Sequence, residues 1–316
     1  MSGTAAASRK RLASREPGVL ARMVRHRADY LYVAPALGVM LLVIGYPIYD
    51  TIYLSFFNTP PSLALEDKTF VGVDNYIRIL TSDAFLEVTV NTLIWTAFST
   101  FFAFVLGLGA ALALDKQFVG RGLLRGILLI PYVISAVAAA YIWRWLYHTD
   151  FGVIGAIAVA AGLTDRPINF LDNTETSLGS LIVVNVWKEF SFAMIMMLAG
   201  LQTVPEQLHR AAQVDGAGVF QRFWHITMPH LKGVTLVTVL LLLVSNLNSF
   251  TIPWIMTAGG PAGSTDIWIT AIYQLAFERI RFGISSAYSV IVFIVMMSMG
   301  YFYVRALTRR DGARYG

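Results

Sequence analysis

The side chains in this sequence that could do chemistry sit inside apolar runs. Asn185, Glu189 and Phe192 are spaced i, i+4, i+7, which puts them on one face of a helix. Asn246 and Ser249 are spaced i, i+3 in a later run. Amides and a carboxylate can hydrogen-bond hydroxyl groups, and an aromatic face can cover C–H patches. Together the set suits a polar, hydroxyl-bearing molecule, and the carboxylate argues against an anionic one. A second explanation stands beside the first: Asn and Ser in apolar helices often bond across helices and act as glue. Glu189 could likewise pair with a cation on a partner chain. Lys188 is turned about 100° from Glu189 around a helix, so it is expected to meet a neighbouring subunit. Asn91 and Thr92 lie nearer the end of an earlier run, and Arg144 lies where its long stem lets the charge reach water.

Other chemistries are poorly supplied. The chain has no cysteine, so thiol catalysis and Cys-based metal sites are excluded. His209, His225 and His230 are spaced 16 and 5 apart, which suits no metal motif. Only Asp50 and Glu189 are acids within apolar runs, at different depths, so no catalytic set assembles. No GxxxxGK[ST] run is present to cradle phosphates. The expectation is therefore no catalytic residue, no metal and no cofactor held by this chain. The net charge of +5 does not line up with aromatics on a polar face, so nucleic acid is not an expected partner.

The elements that carry these residues belong in lipid. Of 316 residues, 56% are hydrophobic and only 14% charged, against about 25% charged in a soluble domain. Six stretches reach the roughly 20 apolar residues a membrane helix needs: 30–57, 88–114, 122–147, 177–201, 233–256 and 284–305. A seventh, 151–163, is too short to span and reads as a helix on or dipping into the outer surface. Residues 1–29 read as a basic tail, mostly disordered, with a short basic helix on lipid headgroups near 19–27, and 30–316 as the membrane domain. Seventeen Lys and Arg fall in the two termini and in the two-three and four-five loops. The other loops hold five, namely Lys68, Arg78, Arg166, Arg279 and Arg281, together with eleven acids. By the positive-inside rule both termini face the cytoplasm.

The connection between the fourth and fifth spans, 203–232, does not read as a simple loop. Thr203 and Glu206 have the spacing of a capping box, with Pro205 in the first turn. Asp215-Gly216 breaks this first helix, and Asp215 is expected to cap a second, 217–226, which Pro229 stops. Val219, Phe220, Phe223, Trp224 and Ile226 give the second helix an apolar face. It can pack under its own bundle or fit a groove on another protein.

Residues 206–229 resemble the cytoplasmic EAA loop of ABC importer permeases. Ala211, Ala212, Asp215, Gly216, Ala217, Phe223, Ile226 and Pro229 match that pattern. Arg210 stands where an acid is usual, and Gly233 where a proline is usual. Tyr30 to Pro35, Tyr46-Pro47-Ile48, Phe70 to Tyr76, Asn91-Thr92, Trp187-Lys188 and Ala199 to Gln202 are similar to the carbohydrate branch of the family. Thr257 to Pro261 with Thr265 is similar to its first permease subunit. The resemblance implies a type I ABC importer permease fold, all-α with six transmembrane helices, in the inner membrane of a bacterium. It implies a heterodimer with a second permease, two ABC ATPase subunits that bind ATP and Mg, an extracytoplasmic solute-binding protein and a sugar substrate. It assigns ATPase coupling to Glu206, Arg210, Ala211, Ala212, Asp215, Gly216, Ala217, Phe220, Phe223, Trp224 and Pro229, with Gly216 as pivot. It places the solute between the helices that flank this loop, the same helices on which spacing singled out Asn185, Glu189, Phe192, Asn246 and Ser249. An ion-coupled secondary sugar transporter is the alternative. It would need a repeated pair of broken helices and leaves the amphipathic loop unexplained.

Overall fold

The computed structural model describes residues 27–59 and 68–311, so the expected basic helix at 19–27 and most of the tail lie outside the described residues. The chain forms two compact units, Met1–Thr51 and Ile52–Gly316. In the first, α1 (Arg27–Met40) passes through a π-helical turn, Leu41–Gly45, into α2 (Tyr46–Leu54), whose last three residues are counted in the second. The wide turn falls two residues before Pro47. A proline cannot donate to the carbonyl four residues back and clashes with it, and a turn with i→i+5 bonding moves that carbonyl aside.

The second unit is helical apart from one two-residue antiparallel pairing of β1 (Phe57–Asn58) with β2 (Thr69–Phe70). It continues with α3 (Asp74–Leu80), α4 (Asp83–Asp115), α5 (Arg121–Val133), α6 (Ala136–Leu146) and α7 (Val153–Ala160). Then come α8 (Ser177–Leu201), α9 (Glu206–Val214), α10 (Val219–Arg222), a π turn at Phe223–Thr227 and α11 (Met228–Leu247). The chain closes with α12 (Thr251–Thr257), α13 (Trp268–Tyr273), a third π turn at Gln274–Glu278, and α14 (Phe282–Asp311). Among the described residues five helical stretches are long and apolar enough to cross a membrane, six if a bent pair counts as one span.

α8 is the central helix. In its most apolar window 56% of residues are buried, against 33% for α4 and 22% for the α10–α12 stretch. The expected span 177–201 coincides with it. α4 begins at Asp83, earlier than the apolar run, because Ser82 accepts the Phe85 N–H (3.2 Å) and caps it. α4 and α8 pack closely where they cross at Gly107. A Cβ there would stand 2.5 Å from the Ala193 Cβ and 2.7 Å from the Phe190 carbonyl oxygen. Small residues let membrane helices approach in this way. Gly107→Ala should therefore lower the stability of the purified chain by about 1–3 kcal/mol, read as a fall in Tm. Gly109→Ala, where a Cβ meets nothing within 4 Å, is the control.

Two expectations are corrected. The third span is not one helix: α5 and α6 meet at 96°. Ile134 turns extended (ψ 133°), and the Ser135 hydroxyl accepts the Ala138 N–H (3.2 Å) to start α6. At the break Lys188 Nζ donates to the Ile134 carbonyl (2.9 Å), an acceptor that the break releases, while Ser191 donates to Leu128 O (2.6 Å). Pro229 does not stop the helix of the four-five loop. The π turn at Phe223–Thr227, again two residues before the proline, lets α10 run on through α11.

Candidate functional site

A buried polar junction ties α4, α8 and α11 together. Asn185 and Glu189 lie one turn apart on α8, and Asn246 stands one residue before the end of α11. Asn185 Nδ2 donates to Asn246 Oδ1 (2.5 Å), and Asn246 Nδ2 donates to Glu189 Oε2 (2.9 Å). Thr100 Oγ1 (3.2 Å) and the Leu242 carbonyl (2.9 Å) also lie within reach of that amide. One NH₂ has two hydrogens for three acceptors, so at least one bond is shared. Ser245 Oγ donates to the other Glu189 oxygen (2.7 Å). Trp95 Nε1 donates to the Asn246 carbonyl (3.1 Å), which lies where α11 ends. Asn185 and Asn246 are buried and Glu189 is half-buried. Glu189 makes no ion pair among the described residues and accepts from two neutral donors, Ser245 and Asn246.

The structure therefore joins three of the five residues expected from spacing. Phe192 lies one turn along α8, stacked on Tyr132 of α5 (6.1 Å between ring centroids) and packed against Leu242 and Ala103. Ser249 lies outside the junction, in the link between α11 and α12, with its backbone N–H bonded to the Asn246 carbonyl (3.2 Å). Sequence reasoning missed Trp95, Thr100 and Ser245. A signal was present for Thr100: Thr92, Thr96, Ser99 and Thr100 follow a three-to-four residue rhythm in an apolar helix, and all are buried. Asn91 and Thr92 are fasteners. Asn91 donates to Gly263 O (3.2 Å), and Thr92 accepts the Trp268 N–H (2.9 Å), which holds the loop before α13 to α4. A separate groove of about 760 Å3 on α4, α6 and α8 is apolar, with Phe98, Phe102, Trp143, Trp187 and Phe190 among its walls.

The second candidate region is the α9–α10 connection. Thr203 forms no capping box: its hydroxyl donates back to Gly200 O (2.7 Å), and Pro205 holds the N-cap position. Arg210, in the place of the usual acid, pairs with Glu206 one turn earlier (3.0 Å). Asp215 does not cap the second helix. It ends α9, and Gly216 follows at φ +79°. The Gly216 N–H meets Gln213 O (3.1 Å) and the Ala217 N–H meets Ala212 O (2.8 Å), the paired bonds of a Schellman ending. α10 starts after Gly218, whose N–H is taken by Gln221 Oε1 (2.9 Å). Ala211 is exposed, while Ala212 and Ala217 are half-buried. Val214, Phe220 and Trp224 are 88%, 82% and 61% exposed, and Phe223 sits edge-on to Trp224 (5.3 Å). Phe220 and Trp224, four residues apart, are thus large apolar side chains left exposed.

Residues 103–310 match the family described as binding-protein-dependent transport system inner membrane component. The chain is 34% identical over 289 residues to the trehalose/maltose transport system permease protein MalF of Thermococcus litoralis, covering 90% of this chain and 95% of that protein. It is 33% identical over 281 residues to the sulfoquinovosyl glycerol transport system permease protein SmoG of Agrobacterium fabrum, covering 89% and 90%. It is 33% identical over 285 residues to the trehalose transport system permease protein SugA of Mycobacterium tuberculosis, covering 90% of each. In fold it is similar to a chain of a bacterial alginate ABC transporter solved with an alginate pentasaccharide-bound periplasmic protein. That match has a TM-score of 0.77 at 23% identity and covers 93% of this chain and 98% of that one.

Proposed function

The chain belongs to the family of binding-protein-dependent transport system inner membrane components, and from that premise we propose how it takes part in import and what passes through it. It is a permease subunit of an ATP-driven importer, multi-pass in the inner membrane, and its ATPase and solute-binding partners follow from the family. The solute is a sugar or sugar derivative. Relatives named for trehalose, maltose and sulfoquinovosyl glycerol support this at 33–34% identity over about nine-tenths of the chain.

The observation that carries the site is the junction of Asn185, Glu189 and Asn246. It offers two amides and a carboxylate, with Ser245 and Thr100 beside them, at the meeting of three membrane helices. In this arrangement the polar groups satisfy one another. Solute hydroxyls replace those bonds when α8 and α11 part. Phe192 one turn away supplies an apolar face for the C–H side of the ring, and Ser249 extends the polar wall. Lys188 holds the α5–α6 break as a fixed strut during this exchange.

Both termini and the α9–α10 connection face the cytoplasm, as the Lys and Arg bias indicates. The exposed face of Val214, Phe220 and Trp224 docks into an ATPase subunit, Gly216 sets the angle between α9 and α10, and a second permease completes the path. Co-purification with the ATPase tests this. Phe220→Asp should reduce the ATPase retained on the tagged permease by at least about tenfold, because a charge enters an apolar interface core. Gln221→Ala, which changes only the local turn, should retain most of it. A permease that holds its ATPase equally well with Asp at 220 would sink the assignment.

A further inference from the structure

We propose that a pocket at one end of the helical bundle binds a phosphate-bearing anion. The pocket, about 250 Å3, lies where α3, α4 and α14 meet the π turn that follows α13. Arg78, Arg279 and Arg281 line it. They are three of the five basic residues in the loops between spans one and two, three and four, and five and six. The scarce positive charge of those loops is gathered at one place. Arg78 pairs with Asp74 (3.3 Å), whereas Arg279, which acts electrostatically on Asp266, and Arg281 make no direct ion pair among the described residues. Ile280 between them sits at φ +51°, a region β-branched residues rarely enter. The arginines on both sides of it line the pocket.

Deeper in, the pocket needs an acceptor. Tyr288 lines it and is 4% exposed, and its hydroxyl is buried with no hydrogen-bond partner among the described residues. Buried phenolic hydroxyls normally find one. The carboxylate of the pocket, Asp266, accepts at Oδ1 from Thr270 (3.1 Å) and Gln274 (3.0 Å), and neither of its oxygens is hydrogen-bonded to the Tyr288 hydroxyl. Burial holds the Asp266 carboxyl above the ordinary carboxylate range, so it opposes an anion less than a free carboxylate does. An oxyanion with several acceptor oxygens answers all three donors, because guanidinium forks match phosphate geometry. The remaining walls, Ile79, Phe85 and Leu275, are apolar. Helix ends of a membrane protein lie at headgroup depth, so a phospholipid phosphate with its first acyl carbons on these walls and free phosphate share the chemistry.

The test is thermal unfolding of the purified full-length chain, titrated separately with dioctanoyl phosphatidylglycerol, dioctanoylglycerol and inorganic phosphate. A saturable rise in Tm is expected with phosphatidylglycerol and not with dioctanoylglycerol. The half-point should move at least about tenfold in the double variant Arg279→Gln, Arg281→Gln, which loses two charge-assisted contacts, and several-fold in Tyr288→Phe. If inorganic phosphate gives the same arginine-dependent rise, the site takes the free anion. If only the lipid does, it takes a headgroup. Equal responses in the wild-type chain and the double variant, or an equal effect of the phosphate-free lipid, would overturn the proposal.

Discussion

Asn246→Leu is expected to reduce sugar uptake in reconstituted vesicles by about a hundredfold. Leucine nearly preserves the volume of the side chain but removes the hub of the junction. Glu189 Oε2 loses its amide donor, and Asn185 Nδ2 loses its acceptor. Each buried polar group left unpaired costs about 1–3 kcal/mol, more for a charged one. Two such losses amount to about 3 kcal/mol, or two powers of ten. The split between readouts decides which of two roles the junction has. If Asn246 only holds helices together, the Tm falls while the KM of the surviving transport is unchanged. If its amide also meets solute, KM rises as well. Glu189→Gln should have a smaller effect of about tenfold, because the new amide keeps one acceptor and loses the second. Full uptake with Leu at 246 would rule out this junction as the path.

The legibility of this junction in the sequence has a simple physical origin. An amide or carboxylate in an apolar run is costly, so it stands out, and the spacing of four between Asn185 and Glu189 sets them on one face. Which partners they meet is a different matter. Thr and Ser in helices usually bond their own carbonyls, as Thr92 does with Val88 and Thr238 with Val234. Thr100 and Ser245 therefore carried no signal by type alone. The Trp95 indole meets the Asn246 carbonyl where α11 stops, at Leu247.

The span boundaries were legible where hydropathy and helix coincide, as in α8, and failed where backbone geometry governs. Nothing in the apolar content of 122–147 records the 96° turn. The local cues were Pro131 inside α5 and Ser135 as a cap, and the acceptor freed between them takes a hydrogen bond from Lys188. Pro229 misled in the other direction. A proline ends an ideal α-helix, but a π turn ahead of it removes the clash, and the same device precedes Pro47. As a result α10 is no separate helix ended by Pro229. It runs on into the helix that carries Asn246.

That continuity sharpens what Gly216 must do, and Gly216→Val is expected to cut uptake at least tenfold while leaving the fold intact. A Cβ at this position meets nothing within 4 Å, so the substitution causes no clash. Its effect is confined to the backbone, which lies at φ +79°. An L-residue pays about 1–2 kcal/mol to remain left-handed there, and a β-branched one more. The cheaper response is to abandon the Schellman ending, losing the Ala217-to-Ala212 and Gly216-to-Gln213 bonds and resetting the angle between α9 and α10. Because α9 has no buried residue, the melting temperature should move little. The docking face on α10 would then be presented at the wrong angle to α11 and the spans behind it. Gly216→Asn should restore most of the uptake, since asparagine tolerates the left-handed region. Gly218→Ala, at an ordinary φ of −68°, should be close to neutral. Measuring uptake, ATP hydrolysis and Tm on all three variants separates an angle from a contact. If valine and asparagine at 216 behave alike, the backbone conformation of Gly216 is not what couples the two helices.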